Sequence, residues 1–157
     1  MKRGQAMIET VFAVMFLTVL FLTLFELSRM LQSRILLDHA AARAARAKAV
    51  GFNEFMCLKS ARVAMIPVAG ERVWPQADAF GDEVSRVPAY LASESEARAR
   101  GILEYERWAT TRIDVTSGDG IGSTVKADIL METDDFRMDG KAEIESHYPL
   151  YMYDQGR

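Results

Sequence analysis

The sequence predicts an α+β protein, in which one long N-terminal helix packs on a small antiparallel sheet of three strands, with two short helices between them. Three observations carry this. Sixteen uncharged residues, Thr10 to Phe25, run without a glycine or proline into an alanine-arginine tract; residues 53–108 then carry two helix-start signals; from Arg112 onward the apolar spacing changes from a helical period to alternation.

The first helix is the strongest element. From Ala6 to Phe25 there are 20 residues, which at about 1.5 Å per residue make a rod of roughly 30 Å, the thickness of a bilayer's hydrocarbon core. A removed secretory signal is the competing reading. Its apolar region runs about 7 to 15 residues and ends at a small-residue cleavage site, whereas Phe25 is followed by Glu26-Leu27-Ser28-Arg29-Met30. The sequence therefore favours a retained transmembrane helix. Beyond it, Leu27, Met30, Leu31, Leu37, Ala41 and Ala44 fall on one side of a 3.6-residue wheel, and Ala40 to Ala49 is a strong helix-forming run with basic residues near its carbonyl end. Gly51 supplies a C-cap. A helix from Gln5 to Val50 would be on the order of 70 Å long, and its excess must pack on something. The chain's own globular domain and a seam shared with neighbouring copies are the two candidates.

The remainder, residues 51–157, reads as a compact head. Asn53 caps a short helix through Met65, ended by Pro67; residues 69–92 read as irregular connection; Ser93-x-x-Glu96 is a capping box opening a second helix to Trp108. Arg112 to Thr116, Thr124 to Met131 and Ala142 to Tyr148 read as strands, with turns at Ser117–Gly122 and at Asp139-Gly140. Ile113, Val115, Val125, Ile129, Met131 and Ile144 form an apolar face that needs cover, and the upper stalk is the nearest apolar surface in sequence.

Charge narrows the function classes. Residues 1–50 carry seven basic and three acidic groups, plus 4, and residues 51–157 twelve basic and nineteen acidic, minus 7, giving the net minus 3. An acidic head lacks the clustered cations that nucleic-acid binding needs. No C-x-x-C, H-E-x-x-H or zinc spacing occurs, so no metal or cofactor is expected, and no catalytic constellation or small-molecule substrate site is visible. Cys57 reads as a buried apolar residue on the helix around Phe55 and Leu58, with an intermolecular disulfide as the other reading. Gly118-x-Gly120-x-Gly122 lies between strands and reads as a hairpin loop instead of a phosphate cradle. Asp134, Asp135 and Asp139 lack calcium-loop order and read as an exposed acidic loop, with calcium as the alternative. His39 and His147 read as structural or solvated; Trp74, Trp108, Tyr148, Tyr151 and Tyr153 read as core or rim packing.

Glu9 stands out against this background. An ionisable side chain inside an apolar span costs about 2.5 to 3.5 kcal/mol at the bilayer centre on insertion scales, and is by default a functional-site candidate. Gly4-Gln5-Ala6-Met7-Ile8-Glu9 followed by an apolar helix resembles the processing site of type IV pilin-like proteins, where a prepilin peptidase cuts after the glycine and leaves a glutamate fifth in the mature chain. With the Phe25–Arg29 junction and the Ala41–Arg46 tract, residues 4–48 resemble the N-terminal module of TadE-like pseudopilins of tight adherence (Flp) pili. The chain departs from that pattern at Thr10, where an aromatic is common, and at Val14-Met15, where a proline is common. The length exceeds that of a Flp major pilin, so the resemblance implies a minor component.

What the resemblance implies is a pilin-like fold with three parts. Residues 1–4 are a leader carrying Lys2 and Arg3; residues 5–50 are the transmembrane and stalk helix; residues 51–157 are a periplasmic head. Gly4 and Gln5 form the processing site. The subunit sits in the bacterial inner membrane with its N-terminus cytoplasmic, or outside the cell in a pilus. Its partners are the peptidase, other pilins or pseudopilins and the pilus assembly machinery. Losing the leader removes two cations, taking net charge from minus 3 to minus 5, and creates an amine on Gln5 that a neighbour's Glu9 could pair with, setting axial register. Glu9 reaching the headgroups unpaired is the plainer reading. A membrane-anchored periplasmic adaptor that never enters a filament is the alternative function.

Overall fold

The computed structural model describes residues 2–76, 82–118, 123–132 and 137–146, with only the backbone given for 2–6 and 82–83. The element order is helix α1 (Lys2–Ala49), helix α2 (Glu54–Ala64), a 3-10 turn (Ile66–Val68), strand β1 (Arg72–Trp74), helix α3 (Asp82–Ala92), helix α4 (Glu96–Arg100), strand β2 (Glu104–Tyr105), a 3-10 turn (Glu106–Trp108), and strands β3 (Arg112–Ser117), β4 (Thr124–Glu132) and β5 (Arg137–Glu145). The chain divides into two units, residues 1–33 and residues 34–157.

The first unit is the apolar part of α1. Met7–Ala49 contains a window of mean hydropathy 2.3 with none of it buried, so α1 is long and apolar enough to cross a membrane. The helix is uninterrupted at Val14-Met15, as expected where no proline removes an N–H. Leu27, Met30 and Leu31, read from periodicity as the start of the packed face, are all exposed, because cover begins only further along.

In the second unit α1 buries Leu37, Ala40, Ala41, Ala44 and Ala45 completely, the i, i+3/i+4, i+7/i+8 pattern of a helix laid on a core. The chain's own head thus takes up the alanine seam. The helix ends in a Schellman cap: Gly51 at φ +97° lets its N–H donate to the Lys48 carbonyl and the Phe52 N–H to the Ala47 carbonyl.

Three strands in the order β3-β4-β5 form the antiparallel sheet, and β4 alternates buried and exposed almost without fault because its inner face meets the core. Val125, Ala127, Ile129 and Met131 are buried; Ile113, Val115 and Ile144 pack half-buried against them, in one cluster with the α1 alanines. Fully burying one side chain such as Leu37 stabilises by roughly 1.5–3 kcal/mol. At the β5 edge the Lys141 N–H donates to Asp38 Oδ1 at 3.0 Å, so a side chain from α1 satisfies a backbone donor there.

Several sequence expectations are corrected. Asp139-Gly140 is no turn: both lie inside β5, with Gly140 opposite Ile129, because a side chain there would collide with the Leu37 backbone. The missing Cβ serves close approach, and the connection joining Glu132 to Arg137 lies outside the described residues. Residues 69–92 hold β1, which pairs with β2, and α3, whose Pro88 lies inside the helix. Pro88 and Val84 are both exposed, and Pro88 has no N–H to give the Val84 carbonyl one turn before it. Ser95, not Ser93, caps the next helix, accepting from the Arg98 N–H, because the Ser93 hydroxyl donates to the Tyr90 carbonyl and its own carbonyl accepts from Lys59. That helix stops at Arg100, since Glu104 and Tyr105 leave it to pair with β1. Three short α-helices, not two, thus follow α1 among the described residues. The expected Asn53 cap is present, its side chain accepting from the Met56 N–H.

Candidate functional site

The residues that the sequence singles out as a processing and assembly site lie on the first turns of α1. Lys2, Arg3, Gly4 and Gln5 are helical, with side chains outside the description, and Glu9 follows on the same helix, exposed. From Val11 to Phe25 the large apolar side chains are 45% exposed or more, so in water this surface would cost heavily and needs lipid or protein cover. Thr18 and Thr23 do not break that surface with free hydroxyls, since they donate to the Val14 and Val19 carbonyls at 2.9 and 2.8 Å.

In the head, the back of α1 carries a stripe opposite its buried face. Ile35, His39, Arg43, Arg46 and Val50 recur at three- and four-residue steps and all are exposed, Ile35 at 68% and Val50 at 66%. Arg43 and Arg46 have no ion pair among the described residues. The outer face of the sheet is the other charged surface. There Arg112 pairs with Asp114 at 2.7 Å, Lys126 with Glu143 at 3.4 Å and Lys141 with Asp139 at 3.5 Å. Glu132 faces Arg137 and Asp128 faces Lys141 in register. This face holds an open groove of about 500 Å³, lined by residues that include Leu130 and Asp128.

The remaining sequence candidates separate cleanly. Cys57 is buried at 1% exposure, and burial pushes its thiol up from the ordinary cysteine range. Trp108 is core, its ring 4.8 Å from Tyr105 and 5.3 Å from Tyr90. Trp74 is a rim residue, half exposed, its indole N–H donating to the Gly101 carbonyl at 2.9 Å. Gly118 closes the β3–β4 hairpin, its N–H donating to the Thr124 carbonyl, while Gly120 and Gly122 lie outside the described residues. Asp139 sits in β5 beside Lys141; Asp134 and Asp135 lie outside the description, and no metal-binding cluster occurs among the described residues. His39 is exposed; His147, Tyr148, Tyr151 and Tyr153 fall outside the description.

Sequence reasoning passed over Lys59. It is fully buried, and its ammonium donates to the carbonyls of Leu91 at 2.6 Å and Ser93 at 2.7 Å, 4.5 Å from the Phe55 ring centre. Burial lowers its pKa from the usual lysine value. It ties α2 to the carbonyl end of α3, where a cation also suits the helix dipole. No local signal marks it, since Lys59 reads as one more helix-surface cation.

Comparison with known proteins is informative only at the N-terminal end. No curated protein and no solved structure matches the chain. The stretch that begins at Gly4, runs through Glu9 and the exposed apolar helix, and ends in the arginine stripe at Arg46 is the stretch over which the chain matches a protein family, that of the TadE-like proteins, residues 4–46.

Proposed function

We propose that this protein is a minor pilin or pseudopilin that contributes to assembly of a tight adherence (Flp) type IV pilus and is cut after Gly4 by a prepilin peptidase. The observation that carries the reading is the coincidence of the TadE-like match, residues 4–46, with an unburied apolar helix that has Gly4 and Glu9 at its start. In this reading Ala6 to Phe25 spans the inner membrane, Lys2 and Arg3 stay cytoplasmic, and the head, residues 51–157, is periplasmic. The role is structural, not catalytic. After cleavage the Gln5 amine of one subunit neutralises Glu9 of a neighbour; desolvation offsets much of the attraction, so the pair sets register while helix packing supplies the stabilisation.

Protein purified from membranes that contain the peptidase is expected to begin at Gln5 by intact-mass or N-terminal analysis, and Gly4→Ala to keep Met1–Gly4. An intact Met1 in the wild type under those conditions would overturn the reading. A membrane-anchored adaptor outside the filament is the second reading, supported by the alanine seam being buried within the chain itself; it predicts an unprocessed N-terminus.

A further inference from the structure

The two edges of the three-stranded sheet are finished differently. The Gly118 N–H donates to the Thr124 carbonyl, so in the β3–β4 ladder Arg112, Asp114 and Thr116 turn their backbone groups toward β4, while Ile113, Val115 and Ser117 turn theirs outward. At the opposite edge the same alternation points the Lys141 N–H outward, and Asp38 of α1 accepts it at 3.0 Å. The backbone groups of Ile113, Val115 and Ser117 have no such partner among the described residues, and β3 pairs only with β4. Beside this open edge runs a groove of about 400 Å³ between β3 and α2. Its apolar wall is Phe55 and Leu58 together with Ile113 and Val115, all four half-buried. Of the carboxylates on its rim, Glu96 is paired with Arg100 and Asp114 with Arg112, so charge is not what this groove chiefly presents. It presents apolar surface and a row of free backbone donors and acceptors, which an added strand satisfies together.

We infer that the open edge of β3 takes residues 148–153 of a second copy of this chain as an added antiparallel strand. That segment, Tyr-Pro-Leu-Tyr-Met-Tyr, lies outside the described residues and is uncharged throughout, a composition that suits the apolar wall. Pro149 sets the register. It has no N–H and so falls between the hydrogen-bonded positions, which puts Tyr148, Leu150 and Met152 opposite Ser117, Val115 and Ile113. Opposite residues share a face, so Leu150 and Met152 meet Phe55 and Leu58, while Tyr151 stands beside Asp114 on the outer face. The same chain's segment does not reach. An added strand lies three strand spacings from β5, about 14 Å, and the two residues from Ser146 to Tyr148 span about 7 Å at most. Sliding the segment on by two residues brings Asp154 onto Ile113, a carboxylate against the apolar wall. A neighbour therefore supplies the strand, and each copy both gives one and receives one. This contact deepens the filament reading and rests on it for its biological sense, but it can be tested apart from cleavage.

The test uses the full chain in membranes containing the peptidase, in a Cys57→Ala background. In the proposed register Asp114 and Tyr151 form a non-hydrogen-bonded pair with Cα atoms about 4.5 Å apart, within reach of a disulfide. Chains carrying Asp114→Cys and differently tagged chains carrying Tyr151→Cys, made in the same cells, are expected to join into a mixed dimer under mild oxidation. Using Leu150→Cys in place of Tyr151→Cys, which moves the thiol to the other face, or adding Leu150→Pro, which removes a bonding N–H, should cut its yield about tenfold. A second measurement needs no cysteine: in the otherwise unaltered chain the Ile113 and Val115 amides should exchange hydrogen at least about tenfold more slowly than in Leu150→Pro. No mixed dimer, a mixed dimer that Leu150→Pro leaves unchanged, a disulfide that closes only within a chain carrying both cysteines, or coupling only to a different protein would each overturn the inference. The N-terminus is read on the same membranes. A mixed dimer of chains that still carry Met1 keeps this contact and sinks the pilin reading; chains starting at Gln5 without a mixed dimer do the reverse.

Discussion

Gly140 lies against the backbone of Leu37, close enough that a Cβ at position 140 would stand 2.6 Å from the Leu37 carbonyl oxygen and 2.7 Å from the Leu37 Cβ. Leu37 is fully buried and Gly140 lies inside β5, so α1 and the sheet are in close contact here. One position along, Asp38 accepts from the Lys141 N–H, so packing and hydrogen bonding fix the same crossing.

Gly140→Ala should therefore destabilise the head. The backbone, not a flexible side-chain end, is what the new methyl meets, so relief requires α1 to move off β5. A loss of about 1–3 kcal/mol is expected, read as a lowered chemical-unfolding midpoint of the full chain in detergent. An unchanged midpoint would mean that the helix and sheet are not in such close contact.

Lys59 gives a prediction with a pH sign. Lys59→Met keeps most of the stem but leaves the Leu91 and Ser93 carbonyls without their donor, at a cost of about 1–3 kcal/mol. Because burial lowers the folded-state pKa, the unfolded chain binds the proton more readily, and wild-type stability relative to Lys59→Met should rise with pH between the lowered value and the ordinary 10.5. A difference that falls across that window would contradict the direction of the shift.

Cys57 should be silent in the native protein. The thiol is enclosed and its pKa raised, so at any given pH it holds less thiolate than a free cysteine, and thiolate is the reacting form. Labelling by a maleimide at neutral pH is expected to be at least about tenfold slower in the folded chain than in denaturant. Equal rates would place the thiol at the surface, and a native intermolecular disulfide on non-reducing gels would do the same.

Glu9→Leu separates processing from assembly. Removing the carboxylate leaves Gly4 and Gln5 intact and makes the span more apolar, so cleavage and membrane insertion should persist. Surface piliation should drop by about tenfold or more, equivalent to about 1.4 kcal/mol lost at the subunit contact. Normal pili in this variant would show that the carboxylate has no assembly role.

Much of this protein is written locally. Asn53 before an apolar-spaced run, Gly51 after the alanine tract and the alternation of Thr124 to Met131 each give the element that forms, because capping, left-handed backbone and side-chain alternation act within a few residues. The uncharged span from Thr10 to Phe25 is legible for the same reason: helix length and hydropathy depend on spacing along one segment.

What tertiary structure decided is which of several permitted local choices is taken. A glycine after an aspartate permits a turn, but Leu37 across the core makes Gly140 part of a strand. Residues 69–92 read as irregular connection, yet Pro88 lies inside α3, on its exposed side. Ser93 and Ser95 can both cap, and the buried ammonium of Lys59 on the Ser93 carbonyl leaves that role to Ser95. By itself, the sequence determined where the apolar helix runs and which positions alternate, since those follow from near neighbours. Only the tertiary structure determined that α1's cover begins at Leu37, past Leu27, Met30 and Leu31, and that Lys59 is interior, since burial is set by surfaces brought together from distant parts of the chain.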